Sequence, residues 1–157
     1  MNGKHRFVIT EIKSDGGFDS IISKMDAAKE CGADGVLLVG DGDVSLSYED
    51  CAELRDYCEE KGVSFSIASY DITLFESLKS LQDFWVLPSN VIKDYSYIRK
   101  VAETGKAVFI NTDGLLEKEI WNCLEVLQSY YCGNVTLMTA SGENGVKAKY
   151  GFDVGNI

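Results

Sequence analysis

The sequence predicts an α/β fold in which parallel strands alternate with helices, either a shortened TIM-type (β/α) barrel or an open, curled parallel sheet with flanking helices. Two joints carry this prediction. Residues 26–35 and 100–109 each contain a helical pattern, then a glycine, then an apolar run, as helix-to-strand joints of such folds do. The 157 residues can bury one sizeable core but fall short of the roughly 200 that a complete (β/α)₈ barrel needs. We therefore expect a single domain over residues 1–157.

Short apolar runs at regular intervals predict the strands. The run at residues 36–39 is apolar throughout, as expected of a parallel strand that is buried on both faces. Pro88 ends the fourth run. The predicted strands are residues 7–12, 36–39, 64–69, 84–87, 107–111 and 135–139, with residues 152–157 as a candidate seventh.

Helical spacing and capping residues predict the helices between these strands. Ile21, Met25 and Ala28 recur on one face of the first helix. Ser47 is a good N-cap for the second helix, and Gly133 is a stop signal after the longest one. The predicted helices are residues 19–31, the segment between Ser47 and Gly62, and residues 72–81, 95–103 and 116–131.

Composition narrows the classes of partner and compartment. The net charge is −10, from 25 acidic and 15 basic side chains, which disfavours binding to nucleic acid or to an anionic membrane. The apolar run at residues 7–12 is too short for a signal peptide, so a cytoplasmic protein is expected. Five cysteines without a CxxC motif, beside the single His5, favour packed free thiols over disulfides or a zinc site.

Polar residues stand where the predicted strands end, which is where folds of this type bind ligands. We interpret them as the lining of a pocket for a small, sugar-like molecule. The alternative is that they are turn and cap residues, because Asp, Asn and Ser side chains bind nearby backbone. The candidate ligand-binding residues are Glu11, Asp71, Ser89, Asn90, Asn111, Thr112, Asp113 and Thr139.

Three further patterns have two readings each. Asp41 and Asp43 suggest metal ligands, but the spacing lacks the glycine and the glutamate of a calcium loop, so a plain loop is favoured. Gly16–Gly17 before a helix start could receive phosphate on backbone amides, or could form a tight turn. The aromatic side chains near the fourth strand and the last helix are expected in the core, with an oligomer contact as the alternative: Trp85, Trp121, Tyr130 and Tyr131.

Several segments resemble one enzyme family. Residues 10–12 (Thr-Glu-Ile) resemble the family's opening Ala-Glu-Ile, and residues 26–34 resemble its Asp-Ala-Ala-Lys-Glu-Ala-Gly-Ala-Asp. Residues 69–71 stand where the family has Pro-Phe-Asp. The likeness continues through residues 83–92 and 101–120. On these segments the chain resembles the N-terminal barrel of sialic acid (N-acetylneuraminate) synthases.

The resemblance implies a chemistry that much of this chain does not match. Members of the family condense phosphoenolpyruvate with an amino sugar such as N-acetylmannosamine, using a divalent metal. Glu11 matches the acidic residue that the family uses near its sugar. Leu37 and Val86 stand at the family's two strand lysines, and Thr139 stands at a metal-binding histidine. The family's later Ser-Asp-His and its antifreeze-like domain have no counterpart in residues 141–157.

These differences predict a degenerate, non-catalytic relative (a pseudoenzyme) that binds a sugar-like ligand or a protein partner. The alternative is an enzyme of carbohydrate metabolism with reassigned groups, in which Glu11 and Asp71 act as acid and base. No cofactor or metal is expected, with Mn²⁺ or Mg²⁺ required only if the parental reaction survives. An incomplete barrel leaves strand edges to cover, so a homo-oligomer is also expected.

Overall fold

A computed structural model of the protein describes residues 6–40, 46–130 and 134–139, which contain six strands and the helices between them. The chain divides into two compact units, residues 1–83 and 84–157, each with one parallel three-stranded sheet and flanking helices. The predicted α/β class with parallel strands is therefore confirmed. Within the described ranges, no helix is both long and apolar enough to cross a membrane. The candidate strand at residues 152–157, the Asp41–Asp43 pattern and Tyr131 lie outside these ranges.

The first unit contains strands β1 (Ile9–Lys13), β2 (Gly35–Val39) and β3 (Ser64–Ala68), paired in that order. Helix α1 (Phe18–Glu30) connects β1 to β2, and α2 (Tyr48–Glu60) connects β2 to β3. Ser47 and Asp50 form a reciprocal capping box at the start of α2, which explains why this helix begins where the sequence indicates. A short α3 (Phe75–Leu78) and a 3₁₀ turn (Lys79–Leu81) follow β3.

Alternation along these strands gives the first sheet two different faces. Ile12, Val36 and Phe65 join the apolar side chains of α1 and α2 in the core of the unit. The residues between them on the strands point to the opposite face. Pairing aligns Glu11 with Leu37 and Leu37 with Ser66, so these three side chains form one row on the face away from the helices.

The outer edge of β3 is covered by two residues that follow the 3₁₀ turn. The amide side chain of Gln82 accepts a hydrogen bond from the Ile67 N–H at 2.8 Å and donates one to the Ile67 carbonyl at 3.0 Å. The Asp83 N–H donates to the Phe65 carbonyl, and the Asp83 carboxylate accepts from the Phe65 N–H. Arg55 on α2 forms an ion pair with Asp83 at 3.1 Å. These bonds satisfy backbone groups that an unpaired edge would leave open.

The second unit contains β4 (Phe84–Leu87), β5 (Ala107–Asn111) and β6 (Val135–Met138), with helices α4 (Tyr95–Glu103) and α5 (Glu117–Ser129). Trp85 faces α4, because its indole N–H donates to the Thr104 hydroxyl at 3.0 Å and its ring lies edge-on to that of Tyr97. On the other face of the sheet, the rings of Phe84 and Phe109 are in edge-to-face contact. Val86 shares this second face by alternation.

Three sequence expectations differ from the structure. The helix expected over residues 72–81 is only α3 and the 3₁₀ turn, because Asp71 binds the backbone N–H of Thr73 and forms a turn there instead. Core burial holds for Trp85 but not for Trp121, which is 53% exposed, or for Tyr130, which is also exposed. Trp121 lies on the outer side of α5, where it donates to Glu117. The described cysteines are free thiols, and Cys51, Cys58 and Cys123 are packed in the interior as expected, but Cys31 is exposed because it lies at the end of α1.

Candidate functional site

The candidate ligand residues divide between the two units, with Glu11 and Asp71 in the first and the other six in the second. Glu11 is exposed on the helix-free face of the first sheet, in the row that it forms with Leu37 and Ser66. Tyr70 follows the end of β3 and lies within electrostatic range of Glu11. Burial of the phenol, and then the negative charge of Glu11, raise the pKa of Tyr70 to about 12. The Tyr70 phenol is therefore protonated at neutral pH.

Asp71 is committed to its own turn. Its carboxylate accepts hydrogen bonds from the Thr73 hydroxyl at 2.6 Å and from the Thr73 backbone N–H at 2.8 Å. The side-chain bond first, and the backbone bond second, lower the pKa of Asp71 below its usual 3.8. A carboxylate with a lowered pKa is a weak base, and it is deprotonated at neutral pH, so it has no proton to donate.

The polar residues after β5 also have local structural partners. The Asn111 side chain accepts a hydrogen bond from the Asp113 N–H at 2.9 Å, which forms a tight turn at the strand end. The hydroxyl and the N–H of Thr112 both donate to the Met138 carbonyl, at 2.8 and 2.9 Å, and so extend the pairing of β5 with β6. Asn111 and Thr112 thus contribute to local structure whether or not they also contact a ligand.

The remaining candidates lie at the ends of β4 and β6. Ser89 and Asn90 lie in the turn that the Val91 N–H closes by donating to the Pro88 carbonyl. Ser89 is half-buried and Asn90 is exposed. Thr139 follows β6 and is also exposed. These three side chains are available to a ligand at their strand ends.

The two positions that resemble the family's lysines carry apolar side chains inside the sheets. Leu37 lies at the centre of the Glu11–Leu37–Ser66 row and is only 4% exposed. Val86 shares its sheet face with Phe84 and Phe109. Aliphatic and aromatic side chains offer neither a positive charge nor an N–H donor to a phosphate group.

The described residues also do not fit a divalent metal. Across residues 6–40, 46–130 and 134–139, no group of three or more His, Cys, Asp or Glu side chains is placed to hold an ion. The residue at the position of the family's histidine, Thr139, offers only a neutral hydroxyl. We therefore derive no chemical step through a metal.

The structure adds two residues that sequence reasoning missed. Gln82 is 1% exposed and bridges two parts of the first unit, but its partners lie 15 and 16 residues away, so no local pattern indicates its role. Tyr70 lies within residues 69–71, which resemble the family's Pro-Phe-Asp, and it stands where the family has phenylalanine. The added hydroxyl of tyrosine at this position is the one feature of the sequence that could have pointed to Tyr70.

The sequence of this chain matches one protein family and is similar to a protein of known sequence. Residues 37–149 match the model of the NeuB family. The uncharacterized protein MJ1065 of Methanocaldococcus jannaschii is 26% identical over 155 residues, covering 87% of this chain and 46% of that protein.

Solved structures agree on the fold. The spore coat polysaccharide biosynthesis protein spsE of Bacillus subtilis has a TM-score of 0.74 at 24% identity, covering 84% of this chain and 43% of its own. An N-acetylneuraminic acid synthetase from Leptospira borgpetersenii has a TM-score of 0.74 at 14% identity, covering 87% and 56%. A DAHP synthase from Thermotoga maritima has a TM-score of 0.71 at 12% identity, covering 85% and 42%.

The present chain spans about half the length of these relatives, and the structural likeness at such identities shows the fold alone. The family match is more informative, because it covers more than half of the 157 residues and includes β3 and the whole second sheet. It agrees with the resemblance to sialic acid synthases found in the sequence. The chain belongs to the NeuB family.

Proposed function

We propose that this chain is a degenerate, non-catalytic member of the NeuB family that binds a small, uncharged polar ligand such as a sugar. The observation that carries the proposal is the apolar character of the two strand positions at which the family's lysines would stand. Leu37 and Val86 replace the cations that a phosphoenolpyruvate-dependent reaction would need.

The charge beside Leu37 supports the same conclusion. Glu11 places a carboxylate next to Leu37 in the row on the helix-free face of the first sheet. A phosphate or carboxylate ligand would be repelled there, because like charges at short range disfavour each other. A neutral ligand would avoid this repulsion.

Glu11 and Tyr70 together suit a hydroxyl-bearing ligand. Glu11 accepts hydrogen bonds, and Tyr70, with its pKa of about 12, donates one at neutral pH. A sugar carries hydroxyls that can donate to a carboxylate and accept from a phenol, which matches the chemistry of these two side chains. The competing function, an enzyme that uses Glu11 and Asp71 as acid and base, has less support because Asp71 is bound to Thr73.

A phosphate-release assay separates the two functions. The protein is incubated with phosphoenolpyruvate, N-acetylmannosamine and Mn²⁺, with an active sialic acid synthase as the positive control. We expect no phosphate above the level of the protein-free reaction. Phosphate release that disappears in Glu11→Gln, but persists in the exposed α2 variant Glu53→Gln, would contradict the non-catalytic proposal.

Ligand binding is tested by thermal denaturation with N-acetylmannosamine. A ligand at 100 times its Kd stabilises the folded state by about 2.7 kcal/mol, which raises the Tm of a chain of this size by several degrees. We expect Glu11→Gln to reduce the shift and Glu53→Gln to leave it unchanged. If no sugar shifts the Tm, a protein partner becomes the better explanation.

We also propose that the chain forms a homo-oligomer and that it is cytoplasmic. In the first sheet, β1 pairs with β2 alone among the described strands, and a second copy of the chain could cover its other edge. Light scattering on the purified protein tests this, and a monomer mass would contradict it. The acidic composition suits a cytoplasmic protein without nucleic-acid or membrane partners.

A further inference from the structure

The turn between β1 and α1 has a backbone shape that leaves N–H groups available. Gly16 and Gly17 both have positive φ angles, 79° and 82°, which favour glycine. Gly17 is the N-cap of α1 and supplies no side chain to cap it. The first N–H of the helix with a backbone partner is that of Ile21, which donates to the Gly17 carbonyl at 3.2 Å. The N–H groups before it need partners from outside the helix.

Ser14 provides an independent observation at the same turn. Its N–H donates to the Val39 carbonyl at 3.0 Å, so it continues the pairing of β1 with β2. Alternation then places its side chain on the face of Ile12, which α1 covers. Ser14 is 2% exposed, and its hydroxyl has no hydrogen-bond partner in the part of the chain that the structure describes. A buried, unpaired hydroxyl is unfavourable and calls for an explanation.

The charges around this turn are compatible with an anion. The carboxylate nearest to it, Asp15, forms an ion pair with Lys24. The Lys24 ammonium also donates to the carbonyls of Lys13 and Asp15, at 3.2 and 3.3 Å, and so stays fixed at the end of β1. Asp19, in the first turn of α1, is exposed to solvent, which screens its charge.

We propose that this turn binds a phosphate group, either free or as a sugar phosphate, through the first-turn N–H groups of α1 and the Ser14 hydroxyl. The positive end of a helix dipole and unpartnered N–H groups form a natural anion site. Gly16 keeps the turn close to the helix, because a Cβ there would lie 2.8 Å from the Ser20 hydroxyl. Recognition is by neutral donors rather than by lysines, and none of these donors belongs to the sugar site proposed at Glu11.

The test is titration with inorganic phosphate at constant ionic strength, with chloride as the reference salt, followed by amide NMR. We expect phosphate to shift the amide signals of Phe18, Asp19 and Ser20 and to raise the Tm more than chloride does. A hexose phosphate forms a second arm. Tighter binding than phosphate identifies a sugar phosphate as the ligand, and equal binding identifies the free anion.

Ser14→Ala is the decisive variant, because the proposal predicts opposite effects on stability and binding. Removing the unpaired hydroxyl should raise the Tm of the unliganded protein, yet weaken phosphate binding at least about fivefold. Ser23→Ala, at an exposed position of the same helix, should match the wild type in both respects. Phosphate effects no larger than those of chloride, amide shifts that avoid residues 18–20, or undiminished binding by Ser14→Ala would each overturn the proposal.

Discussion

Replacing Gln82 by alanine is expected to lower the stability of the first unit substantially, although Gln82 follows the 3₁₀ turn and belongs to no helix or strand. Gln82 is 1% exposed, and the hydrogen bonds of its amide include those to the Ser66 hydroxyl at 2.8 Å, to the Ile67 N–H at 2.8 Å and to the Ile67 carbonyl at 3.0 Å. Each such bond contributes about 1 kcal/mol net. Gln82→Ala should therefore lower the free energy of unfolding by about 3 kcal/mol, a large share of the roughly 5–15 kcal/mol typical of a domain.

The measurement is urea denaturation followed by circular dichroism, together with hydrogen exchange of the Ile67 amide. Gln128→Ala, at an exposed position of α5, is the matched control and should change the free energy by less than about 0.5 kcal/mol. Exchange at Ile67 should accelerate in Gln82→Ala and stay unchanged in the control. A loss below about 1 kcal/mol with normal Ile67 protection would refute the idea that this side chain replaces a backbone partner of β3.

Two further outcomes follow from the second unit. A side-chain hydrogen bond from Lys93, and then one from the Leu116 N–H, lower the pKa of Glu119 below its usual 4.5. The contribution of Glu119 to stability is therefore complete above about pH 5, and it is lost as the pH falls through the pKa of Glu119 in the folded state. Lys93→Ala should raise that pKa in an NMR titration, and an unchanged value would contradict the assignment. Acrylamide should quench Trp121, which is exposed, and spare Trp85, which is 2% exposed. Trp121→Phe should then remove the quenchable fluorescence, and persistent quenching would show that Trp85 is accessible.

Much of the fold could be predicted because the sequence repeats one local pattern. The apolar run of β2 and the capping box at Ser47 each encode their element within a few residues. The strand β4 and the helix α4 begin and end at the predicted residues. The region after β3 could not be predicted in this way, because Asp71 competes for the backbone of Thr73 and delays the helix.

The candidate site was less predictable, since its important relationships are non-local. The strand-end residues could be found from position alone, but only the structure distinguishes Asp71, whose carboxylate is occupied by Thr73, from the exposed Glu11. Likewise, the influence of Glu11 on Tyr70 joins the middle of β1 to the segment after β3, which are far apart in the chain. The burial of the Ser14 hydroxyl depends on how α1 covers β1, which periodicity does not specify.

The burial of Leu37 limits how readily this position could accept a lysine. An ammonium at a position that is 4% exposed would lose most of its hydration, and the adjacent Glu11 would compensate only if its geometry allowed direct pairing. Leu37→Lys alone would therefore give a less stable protein. Neighbouring strand residues would have to change together with Leu37 before a cation could be accommodated here.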